Sequence, residues 1–344
     1  MKKSSLLIAL CASLVSTQAM AGNPTRSGSA GANELLINPW VRTASWSEGN
    51  TANVSGLEST YGNIAGLAFC KGFNVGVSNA QWMVGSGVKI NALSMASKTA
   101  NGVLALHVSN YNYGDIEVTT EQLPDGGAGT YSPAATVLGV AYSEAFTENI
   151  FGGVNIKMYN STVANVSATG VCFDAGVQYV AGKNRDIRFG ITLRNIGPSF
   201  GYKGDGLAVV MQAPWNTYSN TYDVRSQNFE LPTQLAMGVS KEFKLADKQH
   251  LTLAGNFISN SFKKDQLTLG LEYAFHKSFY VRGSYASFDN REDGLRTETL
   301  AGPAMGFTFK SNAGGDSRFA LDYAYRLTNS AFGGVHTVGV SLEL

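Results

Sequence analysis

Beyond its first two dozen residues the sequence has no uninterrupted apolar run near the ~20 residues that a membrane-spanning helix needs. Any membrane placement would therefore have to be made by strands. Charge is also scarce: Asp, Glu, Lys and Arg make up 15% of the chain, against ~25% in typical soluble domains. A formal net charge of +1 leaves no basic excess to neutralise phosphates, so no nucleic-acid partner is expected. There is no GxSxG elbow, no HExxH helix and no Cys/His metal spacing. His107, His250, His276 and His336 fall in or beside four separate strand segments and read as isolated wall or rim histidines. Nothing here points to an enzyme, a cofactor or a metal site.

What is present begins with an export signal. Lys2 and Lys3 precede the apolar run LLIALCASLV, and Ala19-Met20-Ala21 supplies a small-residue cleavage site, so residues 1–21 read as a signal peptide. Cys11 follows the large Leu10, where a lipoprotein signal needs a small residue, which argues against lipid anchoring.

The chain ends on HTVGVSLEL. Val338, Val340, Leu342 and Leu344 alternate there with Thr337, Gly339, Ser341 and Glu343. A period of two puts successive side chains on opposite faces of a sheet, one oily and one small or polar. The same alternation recurs near 73–83, 87–97, 102–112, 134–146, 148–159, 168–180, 185–195, 231–243, 248–259, 265–276, 277–288, 300–310, 316–327 and 333–344. That makes about fourteen strands, an even number as bacterial single-chain barrels have. The three longest connections, 113–133, 196–230 and 289–299, fall at one end if both termini are periplasmic, as expected for outer loops. The expected fold is all-β: a transmembrane antiparallel barrel over 73–344 in the outer membrane, lipid outside, water or a plug inside. The low charge, 39 Gly and 11% aromatics suit it.

Residues 22–72 lack long alternation, are rich in turn residues and contain Trp40 and Trp46, so they are expected as a hatch inside the barrel. The inward charges Lys157, Asp174, Arg188, Arg194, Glu272, Asp322 and Arg326 have mixed sign. That suits a structural network with the hatch better than an ion path, which would favour one sign. Cys70 and Cys172 remain after signal cleavage; they could tie hatch to wall by a disulfide or stand as two unpaired core residues. In the connection 196–230 the run LAVVMQAPW places Leu207, Val209, Val210, Met211 and Trp215 where water is expected. Such a stretch reads either as a recognition surface or as a loop folded back over the barrel mouth.

The order of segments LLINPWVRTASWSEG, GNIAGLAF, GVLALHVSNYNYGDIEVTTE, LGVAYSEAF, FGGVNIKMYNSTVANVSATGVCFDAGVQY, FGITLRNIGP and LPTQLAMGVSKEF resembles the PorV/PorQ family of Bacteroidota outer-membrane proteins, a branch of the FadL-like barrels. The segment TYGNIAGLAF departs from the Trp-Asn-Pro that many relatives carry before Ala-Gly. The resemblance implies a subunit of the type IX secretion system. Its partners would be the secretion translocon and exported cargo, recognised by outer loops, and cargo would pass to a surface attachment complex. The alternative is a FadL-like transporter of hydrophobic small molecules, which would need an apolar pocket between hatch and wall.

Overall fold

The computed structural model describes residues 26, 28–212, 218–276, 278–288, 298–314 and 317–344. The expected signal peptide, 1–21, lies outside the described residues. Fourteen strands close into one barrel: β1 (Phe73–Gln81), β2 (Lys89–Lys98), β3 (Gly102–Asn112), β6 (Ala134–Ala145), β7 (Ile150–Val163), β8 (Val166–Ala181), β9 (Ile187–Ile196), β12 (Gln234–Ala246), β13 (Gln249–Asn260), β14 (Gln266–Phe275), β15 (Phe279–Phe288), β16 (Gly302–Gly314), β17 (Ser317–Arg326) and β18 (Val335–Glu343). Each pairs antiparallel with its chain neighbours. The ring shuts where β1 meets β18, with Val77 opposite Val340 and Asn79 opposite Val338. Closure leaves no unpaired sheet edge, the condition for strands to cross hydrocarbon.

Two short hairpins stand outside the wall: β4 (Ile116–Glu117) with β5 (Thr130–Tyr131), and β10 (Ala208–Gln212) with β11 (Ser219–Asp223). They occupy the connections β3–β6 and β9–β12, which lie at the same end of the ring as β15–β16. Long connections gathered at one end mark it as the outer end of a bacterial barrel.

The alternation fixes which side of the wall each residue takes. On β14, Leu267, Leu269 and Leu271 point out and are about half exposed, while Gln266 and Thr268 are buried inside. On β9, Phe189, Ile191 and Leu193 face out, and Thr192 and Arg194 face in. On β17, Leu321 faces out, with Asp322 and Arg326 inside. A one-residue slip would exchange these sets, so the oily outer face holds the register.

Residues 31–72 run through the interior as 3-10 turns (Asn33–Leu36, Leu57–Thr60, Ile64–Phe69) and a single helical turn (Val41–Ser45). The wall makes room for them with inward glycines. A Cβ on Gly270 would lie 2.5 Å from the Trp46 ring, one on Gly306 2.6 Å from Ser45 Cβ, and one on Gly339 2.7 Å from Val41 Cγ2. The interior is therefore filled at these positions, where open water was one of the two expectations.

Candidate functional site

An irregular chain inside a barrel must find partners for its peptide groups, because buried unpaired ones cost free energy. Wall side chains supply them. Ser284 Oγ donates to Ser45 O at 2.9 Å, Gln266 Nε2 to Ser47 O at 2.9 Å and Asn256 Nδ2 to Glu48 O at 2.9 Å. From the facing wall, Gln178 Nε2 donates to Val54 O at 3.0 Å and Ser143 Oγ to Ala65 O at 3.1 Å.

Charged pairs add to this. Glu58, which is buried, caps the helical turn from a distance: its Oε1 accepts from the Arg42 backbone N at 3.0 Å, and its Oε2 accepts from Thr43 N at 2.8 Å and Thr43 Oγ1 at 3.0 Å. Arg42 Nε lies 3.2 Å from Glu58 and 3.9 Å from Asp322 of β17. The inward charges read from the sequence mostly find opposite partners: Lys157 lies 2.7 Å from Asp174, Arg194 3.3 Å from Glu48, and Arg282 bonds Glu272. Arg188 instead stacks over the Phe69 ring at 5.2 Å.

The outer mouth has a different character. Leu35 of the internal segment packs with Tyr111, Val137, Tyr159, Phe200 and Leu231, and Trp82, Tyr202, Phe229 and Leu300 flank this cluster. Glu34 anchors its rim, accepting from Tyr113 Oη at 2.6 Å and Tyr159 Oη at 2.8 Å. Between this cluster and the ion pairs lies a void of about 20 Å³ with mixed lining, Leu35, Trp40 and Val137 on one hand and His107, Lys157 and Arg194 on the other. A more polar chamber of about 190 Å³ opens among Arg42, Asn50, Glu58, Glu272, Arg282 and Lys310.

The long outer connection divides in two. Its base folds back over the mouth: Phe200 and Phe229 meet edge to face at 4.5 Å and join the apolar cluster. Its tip, β10–β11, stands in the open, with Val209, Val210 and Met211 exposed at 41%, 69% and 51%. Leu207 closes a 3-10 turn just before β10 and is half-buried. Trp215 lies outside the described residues. The fold-back reading therefore holds for the base of the loop, and the apolar side chains at its tip are exposed to water.

Cys70 and Cys172 are free thiols, which corrects the disulfide alternative. Cys70 packs with Leu57, Ile64 and Leu67, whereas Cys172 belongs to the outer-mouth cluster. The four histidines sit apart: His107 bonds Asn155 Oδ1 at 3.1 Å inside, while His336 bonds Tyr323 Oη at 2.8 Å. Among the described residues no three His, Cys, Asp or Glu are placed to hold a metal ion.

Glu48, Glu58 and Asn256, which hold the internal segment, are not singled out by the sequence pattern. For Glu48 and Glu58 a weak signal exists, as acidic residues in an irregular stretch opposite inward arginines.

No family model matches the chain. A search of curated proteins likewise finds no match. Solved structures do. The CymD monoaromatic hydrocarbon channel is 13% identical, with a TM-score of 0.54 over 94% of this chain and 98% of that one. The Pseudomonas putida toluene transporter TodX is 12% identical, with a TM-score of 0.55 over 85% and 94%. The Ralstonia pickettii toluene transporter TbuX is 10% identical, with a TM-score of 0.50 over 94% and 98%. The chain has the fold of the FadL-like outer-membrane barrels. These structural neighbours are transport channels, not enzymes.

Proposed function

We propose that this protein is an outer-membrane channel for small hydrophobic molecules, taken up at the outer mouth. One observation carries the reading: the apolar cluster of Leu35, Tyr111, Tyr159, Phe200 and Leu231 lies directly under the outer loop, while the interior below is ion-paired. A hydrophobic solute gains by leaving water for such a cluster, and a polar one does not. Similarity to channels described as carrying toluene and monoaromatic hydrocarbons supports the same class of solute. Vesicles containing the assembled protein should take up radiolabelled toluene faster than empty vesicles. The Phe200→Ser, Phe229→Ser double variant should lose most of that gain. Equal uptake by protein-containing and empty vesicles would sink the proposal.

A second reading, recognition of secreted cargo or of a secretion translocon, is favoured by the exposed apolar hairpin β10–β11 and by the resemblance to PorV-type subunits. Capture of type IX cargo from native membranes, with no change in solute uptake, would favour it over the channel.

A further inference from the structure

Strand glycines in this barrel almost all have a packing reason. Among described barrel-strand glycines with ordinary negative φ, those at 76, 102, 139, 152, 153, 170, 176, 190, 238, 270, 306 and 339 would each bring a Cβ within 3.0 Å of another atom. Gly255 and Gly283 are different. A Cβ at Gly283 would meet nothing within 4 Å, and one at Gly255 only Leu269 Cδ2 at 3.4 Å. Neither has the positive φ that would require glycine. Nothing inside the molecule therefore explains the missing side chains.

Both glycines face outward, where the equivalent positions of neighbouring strands carry large apolar residues. Gly255 sits in the ladder between Val239 and Leu269, and Gly283 beside Leu271. Together with Leu253 and Tyr285 they leave a groove of about 690 Å³ on the face that meets the bilayer. Lys241 closes one end of the groove. It pairs with Ile187, the first residue of β9, and so lies where the neighbouring strand emerges into a turn at the end away from the long loops. Its side chain is 46% exposed, with Asp186 3.8 Å away. An exposed pair at that distance is weak, and an ammonium group has three hydrogens to donate.

We propose that this groove holds a phospholipid of the inner leaflet, its acyl chain across Gly255 and Gly283 and its phosphate on Lys241. The apolar walls match the chain, and the cation beside the β8–β9 turn, which also lies 5.4 Å from the Phe243 ring, matches the phosphate. The inference rests on the barrel fold and not on the solute it carries, so failure of the channel reading leaves it intact.

Native mass spectrometry of the detergent-released barrel, with dioleoylphosphatidylglycerol as probe, tests it. The wild type should keep one lipid that the Gly255→Leu, Gly283→Leu double variant loses. Lys241→Gln should weaken retention about fivefold, the effect of one basic residue near a charged surface. It should leave retention of dioleoylglycerol, which lacks a phosphate, unchanged. Heat-modifiability confirms assembly of each variant; if the double leucine variant does not assemble, Gly283→Ala and Lys241→Gln serve alone. Undiminished lipid retention by the assembled filled-groove variant would overturn the proposal. So would a wild-type mass showing a second copy or another protein that leaves when the groove is filled.

Discussion

Glu48 of the internal segment lies 3.3 Å from Arg194 on β9 and 4.0 Å from Arg326 on β17. Those strands are six places apart in a ring of fourteen, so one carboxylate ties the segment to nearly opposite walls. All three side chains are more than nine-tenths buried. Removing one partner of a buried pair strands the other charge, which costs ~3–5 kcal/mol. Glu48→Gln should therefore lower the urea midpoint of the refolded barrel in detergent and expose residues 31–72 to protease. The Glu48→Leu, Arg194→Met, Arg326→Met variant should recover much of the loss. An unchanged midpoint for Glu48→Gln would show that the carboxylate does not hold the segment.

Gly270 and Trp46 give a steric version of the same test. A side chain at 270 collides with the indole, and overpacking of this kind costs ~1–3 kcal/mol. Gly270→Leu should leave a heat-modifiable barrel whose internal segment is cut faster by protease, and Trp46→Ala in the same chain should slow the cutting again. If Trp46→Ala has no such effect, the collision is not what loosens the segment.

Leu269 and Thr268 separate the two faces of β14. Leu269 is 63% exposed to the membrane side, and Leu269→Arg should cost ~2–4 kcal/mol and cut the yield of assembled protein. Thr268 faces the interior and is fully buried, with Oγ1 3.3 Å from Ser47 O, so Thr268→Arg should assemble and displace the segment. Protease sensitivity measured beside assembly yield distinguishes these outcomes, and identical behaviour of the two variants would contradict the register.

The wall was legible because lipid imposes a simple rule on it. The segment read as 102–112 is β3 from Gly102 to Asn112, and 265–276 is β14 from Gln266 to Phe275. Every outward residue of a strand meets hydrocarbon, so the period of two survives even where propensity is weak. The interior obeys no such period. Glu48 and Glu58 are defined by partners 146 and 16 residues away in the chain, at Arg194 and Arg42, a spacing that no local pattern encodes. The run read as LAVVMQAPW looked like loop because strands of five exposed residues have no buried face to mark them. The thiols were undetermined for the same reason: distance, not spacing, decides a disulfide.

Their chemistry gives a further prediction. Burial among Leu57, Ile64 and Leu67 pushes the Cys70 thiol up to about 12, so it stays protonated at neutral pH, and the protonated form is a poor nucleophile. Iodoacetamide at pH 8 should label the native protein slowly, and denaturation without reductant should let both Cys70 and Cys172 react. Resistance of the denatured, unreduced chain would mean a disulfide that the structure does not contain.

The last prediction concerns the exposed hairpin. Val209 pairs with Tyr222 and Val210 with Thr221, and these side chains stand in water although the loop base is packed into the mouth. An isolated two-stranded ribbon gains little stability of its own in water. Replacing Val209, Val210 and Met211 by Ser therefore changes the surface and spares the fold; the barrel should assemble as the wild type does. If the hairpin feeds apolar solute to the cluster at Phe200, toluene uptake should fall severalfold while cargo association is unaffected. If it is a docking surface for secreted protein, cargo or translocon capture should fall and uptake should hold. Trp215→Ser, in the same connection, extends the test to the rest of the apolar run. Intact assembly with both readouts unchanged would remove this hairpin from either function and leave the packed mouth below it as the site to examine.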